Sequence, residues 1–301
     1  MFEYKRLIKK SLKSHTLFID AFGFGLVKIG SSDKYLAGKI AIYKIYKWLF
    51  RRFHKYVGKS KKAEIMQREK GYVWICWLQG IENAPKVVQD CYNSLLYWVK
   101  NRKIIVITSE NYDQYVHFPD FIIDKWKKGY ITNTHFSDIL RLELLIQYGG
   151  LWVDATTFFT GPLPSYITKE DLFVYRDGWM DMEIINMASW IIYSKYTNNI
   201  VLKETRDLLY KYWEKNKFLK NYFLLHIFFR IVTDEYQEEW TKVPYFNQID
   251  CHMLMNELEN EYKEARIEQI TKLTNIHKLT YKFEQKNENS TSNYLETIYK
   301  V

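Results

Sequence analysis

Residues Tyr72 to Leu78 read YVWICWL, an apolar, β-branched and aromatic run closed by Gln79-Gly80. It lacks the alternation of a half-exposed strand, so it predicts a strand buried on both faces. Lys103 to Thr108 (KIIVIT) and Leu151 to Asp154 (LWVD) predict two more, with further candidates at Leu172–Tyr175 and Met187–Ile192. Between them the period changes. Pro85 stands where a first helical turn tolerates proline and opens a helix through Lys100. Pro119 to Lys128 predicts a short helix stopped by Gly129. Thr134 to Tyr148 (THFSDILRLELLIQY) is apolar on most of its circumference, which predicts a helix sunk in the core and capped by Gly149-Gly150. Helices are expected at Asn199–Lys215, at Lys217–Val232 and within Pro244–Glu264, and a loose polar segment at Gln285–Asn293. Strands alternating with helices predict an α/β fold with a mostly parallel sheet. Ligands of such sheets bind beyond the carboxyl ends of the strands, here Trp77–Gly80, Thr108–Glu110 and Asp154–Thr156.

The first 70 residues follow another pattern. Leu17 to Ile29 is apolar but broken by Asp20, Gly23, Gly25 and Lys28, too short and polar for a spanning helix of roughly 20 apolar residues. Ile40 to Val57 carries Ile42, Ile45, Tyr46, Leu49, Phe53 and Tyr56 at three- and four-residue steps. Lys44, Lys47, Arg51, Arg52 and Lys55 fill much of the opposite face, making a cationic amphipathic helix. Of 44 basic and 35 acidic residues, 18 and 5 fall within residues 1–70, so the net charge of +9 belongs to this segment alone. A helix of this kind fits an anionic membrane surface, its aromatics at headgroup depth. The alternative is a helix packed on the main domain with its basic face in water. No nucleic-acid-binding motif accompanies the charge, so nucleic acid is not an expected partner. Lys59-Ser60-Lys61-Lys62 reads as a linker, and the organisation expected is residues 1–70, 71–284 and a tail at 285–301. Cys76, Cys91 and Cys251 form neither a CxxC pair nor a zinc-ligand spacing, which suits reduced thiols in the cytoplasm.

Chemistry concentrates in one block, His135-Phe136-Ser137-Asp138-Ile139-Leu140-Arg141, followed after seven residues by Gly149-Gly150-Leu151-Trp152-Val153-Asp154-Ala155-Thr156. Asp138 and Arg141, three apart, share a helix face on a helix otherwise rich in Ile and Leu, where polar groups are costly. Asp154 follows three apolar strand residues and is expected at the ligand-binding edge. A carboxylate there can coordinate Mn²⁺ or Mg²⁺ through oxygen. Cleavage of a sugar–diphosphate bond needs such groups, because the departing phosphate gains negative charge that a metal, Arg or Lys must offset. Taken singly, Asp138–Arg141 is also what an ordinary helix ion pair looks like, and Asp154 what a turn looks like.

The block HFSDILR…YGGLWVDAT resembles glycosyltransferases of family 32 carrying a DxD motif, and among them the bacterial capsular polysaccharide synthesis proteins. CWLQGIENAPKVVQDCYNSL at 76–95, ASWIIYSK at 188–195 and NYFLLHIFF at 221–229 are similar to other segments of that group, so the resemblance covers roughly residues 70 to 250. It implies a GT-A-like, Rossmann-type mixed sheet with flanking helices and a UDP-hexose donor. It also implies a retaining transfer to an undecaprenyl-diphosphate-linked oligosaccharide at the inner face of the cell membrane. By the same resemblance Trp77 would stack on uracil, with Cys76, Leu78 and Gln79 beside it. Ser137 would touch the ribose, Asp138 and Arg141 would hold the donor sugar, and Trp152 would pack beside the nucleotide. Asp154 would be the DxD acid and metal ligand. Ser189, Trp190 and His226 would lie toward the acceptor or diphosphate, His226 as a further metal contact. One departure stands out: the triplet is Asp154-Ala155-Thr156, so the second carboxylate is a hydroxyl, which weakens the expectation of a metal. The rival readings are a sugar-phosphate transferase, which would release UMP rather than UDP, and a non-catalytic scaffold of a polysaccharide assembly complex.

Overall fold

The computed structural model describes residue 9 and residues 11–28, 34–59, 65–177, 183–283 and 289–298. Its strands are β1 (Tyr72–Cys76), β2 (Lys103–Ile107), β3 (Gly150–Val153), β4 (Thr157–Phe159), β5 (Leu172–Arg176), β6 (Met187–Ser194) and β7 (Ile276–Lys278). A five-stranded sheet runs β2-β1-β3-β6-β5, and β4 pairs with β7 in a separate ribbon. β1 is parallel to β2 and β3, whereas β6 is antiparallel to both β3 and β5. The sheet is therefore mixed, as the family resemblance implies, and not mostly parallel as the alternation of elements alone suggests. The chain from Arg176 to Met187 is too short for a crossover helix, so β5 and β6 must meet antiparallel.

The period-two rule sorts the strand residues onto two faces. Val73, Ile75, Leu151 and Val153 face one core with helix α3 (Lys86–Trp98). Trp74 and Trp152 face the other, which holds α5 (Asn133–Tyr148), α6 (Ile200–Lys215) and α7 (Leu224–Glu235). The short helix α4 (Asp120–Lys127) adds Ile122 to that second core. Eleven of the sixteen residues of α5 are buried, as its apolar circumference requires. Gly149 and Gly150 let α5 turn into β3 at once, with φ of 65° and 93°. A Cβ on Gly150 would lie 2.5 Å from the Tyr72 carbonyl oxygen, so only glycine fits that approach.

The N-terminal segment forms α1 (Leu17–Lys28) and α2 (Lys34–Phe53); residues 29, 60–62, 284–288 and 299–301 of the readings above lie outside the described residues. The seam Ile45, Leu49 and Phe53 is buried in the main core, with Phe53 edge-on to Phe228 at 5.3 Å. Of these, the aromatic Phe53, expected at headgroup depth on the membrane reading, is covered by protein instead, and the seam follows the alternative of packing on the main domain, because burying each such side chain against α6 and α7 is worth about 1.5–3 kcal/mol. The outer side differs: Phe18 is 90% and Tyr35 71% exposed, and Phe22 and Tyr43 are exposed beside them. Among the described residues no helix is long and apolar enough to cross a membrane.

Other differences are local. The helix expected from Lys217 begins only at Leu224, where Asn221 first folds back to accept from the Phe223 N–H (2.8 Å), an Asx turn competing with helix. A short helix α8 (Gln237–Lys242) follows α7. Between Pro244 and Glu264 only 3₁₀ turns form, and the α-helix, α9 (Glu264–Leu273), follows them. Within the segment expected to be loose, α10 (Thr291–Ile298) starts and buries Leu295 in a cluster with Phe158, Leu254 and Leu279. That cluster anchors the β4–β7 ribbon beside the sheet.

Candidate active site

Arg141 is the centre of the constellation. It projects from α5, is 4% exposed, and its Nη2 lies 3.3 Å from Asp138 Oδ1 and 3.4 Å from Asp154 Oδ1. Nη1 donates to the Ser189 carbonyl (2.7 Å) and Nε to the Ser137 carbonyl (3.3 Å). The guanidinium also lies 5.0 Å from the Trp152 ring centroid. A planar, five-donor group is thus used from several sides, as a buried guanidinium must be.

Asp138 is buried too and receives His135 Nδ1 at 3.1 Å. Burial alone would raise its carboxyl, but the Arg141 charge and the His135 hydrogen bond outweigh it and hold the group below its ordinary value. His135 is itself fixed at the start of α5, where Thr132 caps the helix.

Asp154 stands one residue beyond β3, at the carboxyl end of the parallel strands. Its N–H donates to the Trp190 carbonyl (2.8 Å), its carbonyl receives the Thr157 N–H (3.0 Å), and Trp152 Nε1 donates to Oδ1 (2.9 Å). Its side chain is 26% exposed against 5% for Arg141 and 9% for Asp138. Of the three, it is the one that meets solvent.

The structure brings Cys76, Ser137, Trp152, Thr156, Ser189 and His226 to this place, whereas Trp77 packs against the core on the other sheet face and Leu78 and Gln79 make their contacts elsewhere. Cys76 ends β1 against the cluster. Burial pushes its thiol up to about 12, and Ser137, Arg141 and Asp154 all act on it, so it stays protonated. Trp77 is half-buried and meets Tyr281 edge-on at 5.5 Å, an open aromatic corner. Leu78 is buried; its carbonyl takes the Ser109 N–H (2.9 Å) and hydroxyl (2.8 Å). Gln79 is exposed, and its carbonyl accepts from Asn83 Nδ2. Ser189 joins through its carbonyl. Trp190 does so only through its backbone: its indole stacks on Tyr175 at 5.2 Å and donates to Gln248 Oε1, in the core on the other sheet face. His226 is half-buried near Asp138, Arg141 and Asp154. Burial pushes its imidazole down to about 4, and its Nδ1 has no hydrogen-bond partner.

One group escaped sequence reasoning. Lys278, at the end of β7, donates to Thr156 Oγ1 and lies 3.5 Å from Asp154 Oδ2. The register Thr157↔Lys278 of the β4–β7 ribbon carries it there from 122 residues away. Nothing in the local pattern NIHKLT marks that lysine.

The donor set does not fit a divalent cation. Beside a diphosphate such an ion is held by phosphate oxygens, water and one or two protein carboxylates free to turn to it. The Asp154 carboxylate already faces an indole N–H, a guanidinium and an ammonium. Thr156 offers its hydroxyl to that same ammonium.

Known proteins bear on this site as follows. A segment of 98 residues is 30% identical to the O-glycosyltransferase braB of Annulohypoxylon truncatum, covering 29% of this chain and 23% of that protein. The chain thus spans under a quarter of that relative's length. Among solved structures, the PaToxG glycosyltransferase aligns over 76% of this chain and 91% of its own, with 15% identity and a TM-score of 0.39. A transferase mutant with two cysteines replaced by serine aligns over 63% and 96%, with 12% identity and a TM-score of 0.37. The sequence model described as capsular polysaccharide synthesis protein matches residues 32–300, nearly the whole length including the Asp138, Arg141, Asp154 and Lys278 cluster, and the chain belongs to that family.

Proposed function

We propose that this protein is a glycosyltransferase that moves a hexose from a UDP-sugar to a lipid-linked oligosaccharide, with retention at the anomeric carbon. One observation carries the proposal: Arg141 ties Asp138 and Asp154 into a single buried network that opens to solvent at the carboxyl ends of β1 and β3. Holding the Asp138 carboxylate and the Arg141 guanidinium out of water is expensive, and a surface ion pair would serve stability alone as well. Such an arrangement suits stabilisation of charge that develops only during reaction. Asp154 would face the anomeric centre and diphosphate, with Arg141 and Asp138 fixing it. Uracil would enter the corner of Trp77 and Tyr281, whose aromatic faces suit a flat base, and Ser137 would touch the ribose.

The test is to incubate the purified chain with UDP-glucose, UDP-galactose and their N-acetyl forms plus a membrane acceptor extract, and to assay the nucleotide released. UDP is expected, with an α-linked product by NMR. Release of UMP would mean sugar-phosphate transfer, and no turnover of any nucleotide sugar would sink the proposal.

Membrane contact at the cytoplasmic face belongs to the same reading, with a changed surface. Phe18, Phe22, Tyr35 and Tyr43 form the exposed side of α1 and α2. Lys44 lies 3.3 Å from the Phe22 ring centroid and Lys39 4.6 Å from that of Tyr35. Aromatics interleaved with cations match an anionic leaflet. The protein is expected to sediment with phosphatidylserine vesicles and to be released by salt, and a Phe18→Ser/Phe22→Ser variant to sediment much less. Equal sedimentation with neutral vesicles would count against an electrostatic surface.

A further inference from the structure

We infer that Lys278, not a divalent cation, offsets the charge of the departing nucleoside diphosphate; this rests on the donor reading above. Three observations converge. The position where a second carboxylate would help hold a metal is Thr156, and its hydroxyl accepts from Lys278 Nζ. The same nitrogen stands 3.5 Å from Asp154 Oδ2, on the other side of that carboxylate from Arg141. A cation of fixed charge therefore already occupies the mouth of the cluster. Its side chain is 20% exposed, against 5% for Arg141. Of the two cations on Asp154, it is the one that an entering ligand can reach.

The placement is rigid. Lys278 pairs with Thr157 in the β4–β7 ribbon, and the next N–H, of Leu279, donates to the Thr156 carbonyl (2.8 Å). Leu279 and Phe158 are buried together, so the ammonium is carried on backbone held from both sides. An ammonium has three donors. Thr156 takes one, Asp154 faces a second, and a third is left for a phosphate oxygen.

The chemistry balances without a metal. The bond from the anomeric carbon to the phosphate oxygen breaks with both electrons passing to that oxygen. The acceptor hydroxyl oxygen bonds to the same carbon, and its proton passes to the departing phosphate. The charge that appears on the diphosphate is met by the Lys278 ammonium, which a charge-assisted hydrogen bond can hold more strongly than a neutral one. Asp154 holds Lys278 in place and keeps the pocket near neutrality until the ligand enters.

The test is UDP binding by calorimetry to the full-length chain, with EDTA and then with Mn²⁺. Affinity in EDTA should equal that in Mn²⁺ within about threefold. Lys278→Met should weaken UDP by ~10–100-fold, the range expected when one charged hydrogen bond is lost, and Lys278→Arg should recover most of it. UDP binding that EDTA abolishes and Mn²⁺ restores overturns the inference in the unmodified protein, whatever the variants do, while leaving the donor reading intact. Full affinity in Lys278→Met overturns it as well. Absence of binding to UDP, GDP, CDP and ADP in both buffers overturns the donor reading together with it.

Discussion

Replacing Asp154 by Asn should cut glycosyl transfer by ~10²–10³-fold, the usual scale for removing one group that stabilises developing charge, while leaving the protein folded. The substitution keeps the shape and an oxygen able to accept from Trp152 Nε1 (2.9 Å in the native protein). It removes the charge that holds Lys278 Nζ at 3.5 Å and faces Arg141 Nη2 at 3.4 Å. Its buried partner Arg141 keeps Asp138 and the Ser189 and Ser137 carbonyls, so the stability change should stay small beside the kinetic one. Initial rates at saturating donor, set beside a thermal melt, separate the two. A variant that melts like the wild type and transfers sugar at full rate would leave Asp154 without a catalytic part.

Arg141→Met should act on both quantities. It removes the guanidinium shared by Asp138 and Asp154 and two hydrogen bonds to the carbonyls of Ser137 and Ser189. Asp138 is then a buried carboxylate with His135 as its remaining hydrogen-bond partner. Breaking a buried pair from one side costs about 3–5 kcal/mol, a large share of the stability of an ordinary domain. Adding Asp138→Asn removes the stranded charge, so the double variant should regain part of the loss in urea denaturation while transfer stays abolished; the pair is coupled, and additivity should fail. The sign with pH follows from the lowered Asp138 value. Its stabilising contribution is present at neutral pH, above the unfolded carboxylate value, and disappears as pH falls through the folded one. If Arg141→Met unfolds at the same urea concentration as the wild type, the ion pairs contribute nothing to the fold.

Much of the scaffold was legible because local signals agreed. Apart from β4, which no local run predicted, the strand and helix runs from Tyr72 to Lys215 fall within a residue or two of their expected limits, since buried strands and capped helices carry dense local patterns. Asp138, Arg141 and Asp154 were legible for a different reason: charged residues on an otherwise apolar helix and at a strand end are conspicuous. The errors cluster after Lys217. There Asn221 and the 3₁₀ turns around Cys251 and Leu254 follow turn chemistry rather than helical period. The seam of α2 was seen correctly as apolar, but an apolar seam does not say whether lipid or protein covers it, and here α6 and α7 do. Trp190 shows the same limit on a strand: its backbone serves the site while its indole serves the opposite core.

The sequence by itself determined the alternation of elements, the helix that carries Asp138 and Arg141, the Gly149-Gly150 turn and the family. These are properties of near neighbours along the chain, written in periodicity and spacing. Only the tertiary structure decided the antiparallel half of the sheet, the face of α2 left to solvent, and above all the arrival of Lys278 at Thr156 and Asp154. A strand register between distant segments is set by which buried side chains pack together, as Phe158 and Leu279 do here, and no local pattern encodes that match.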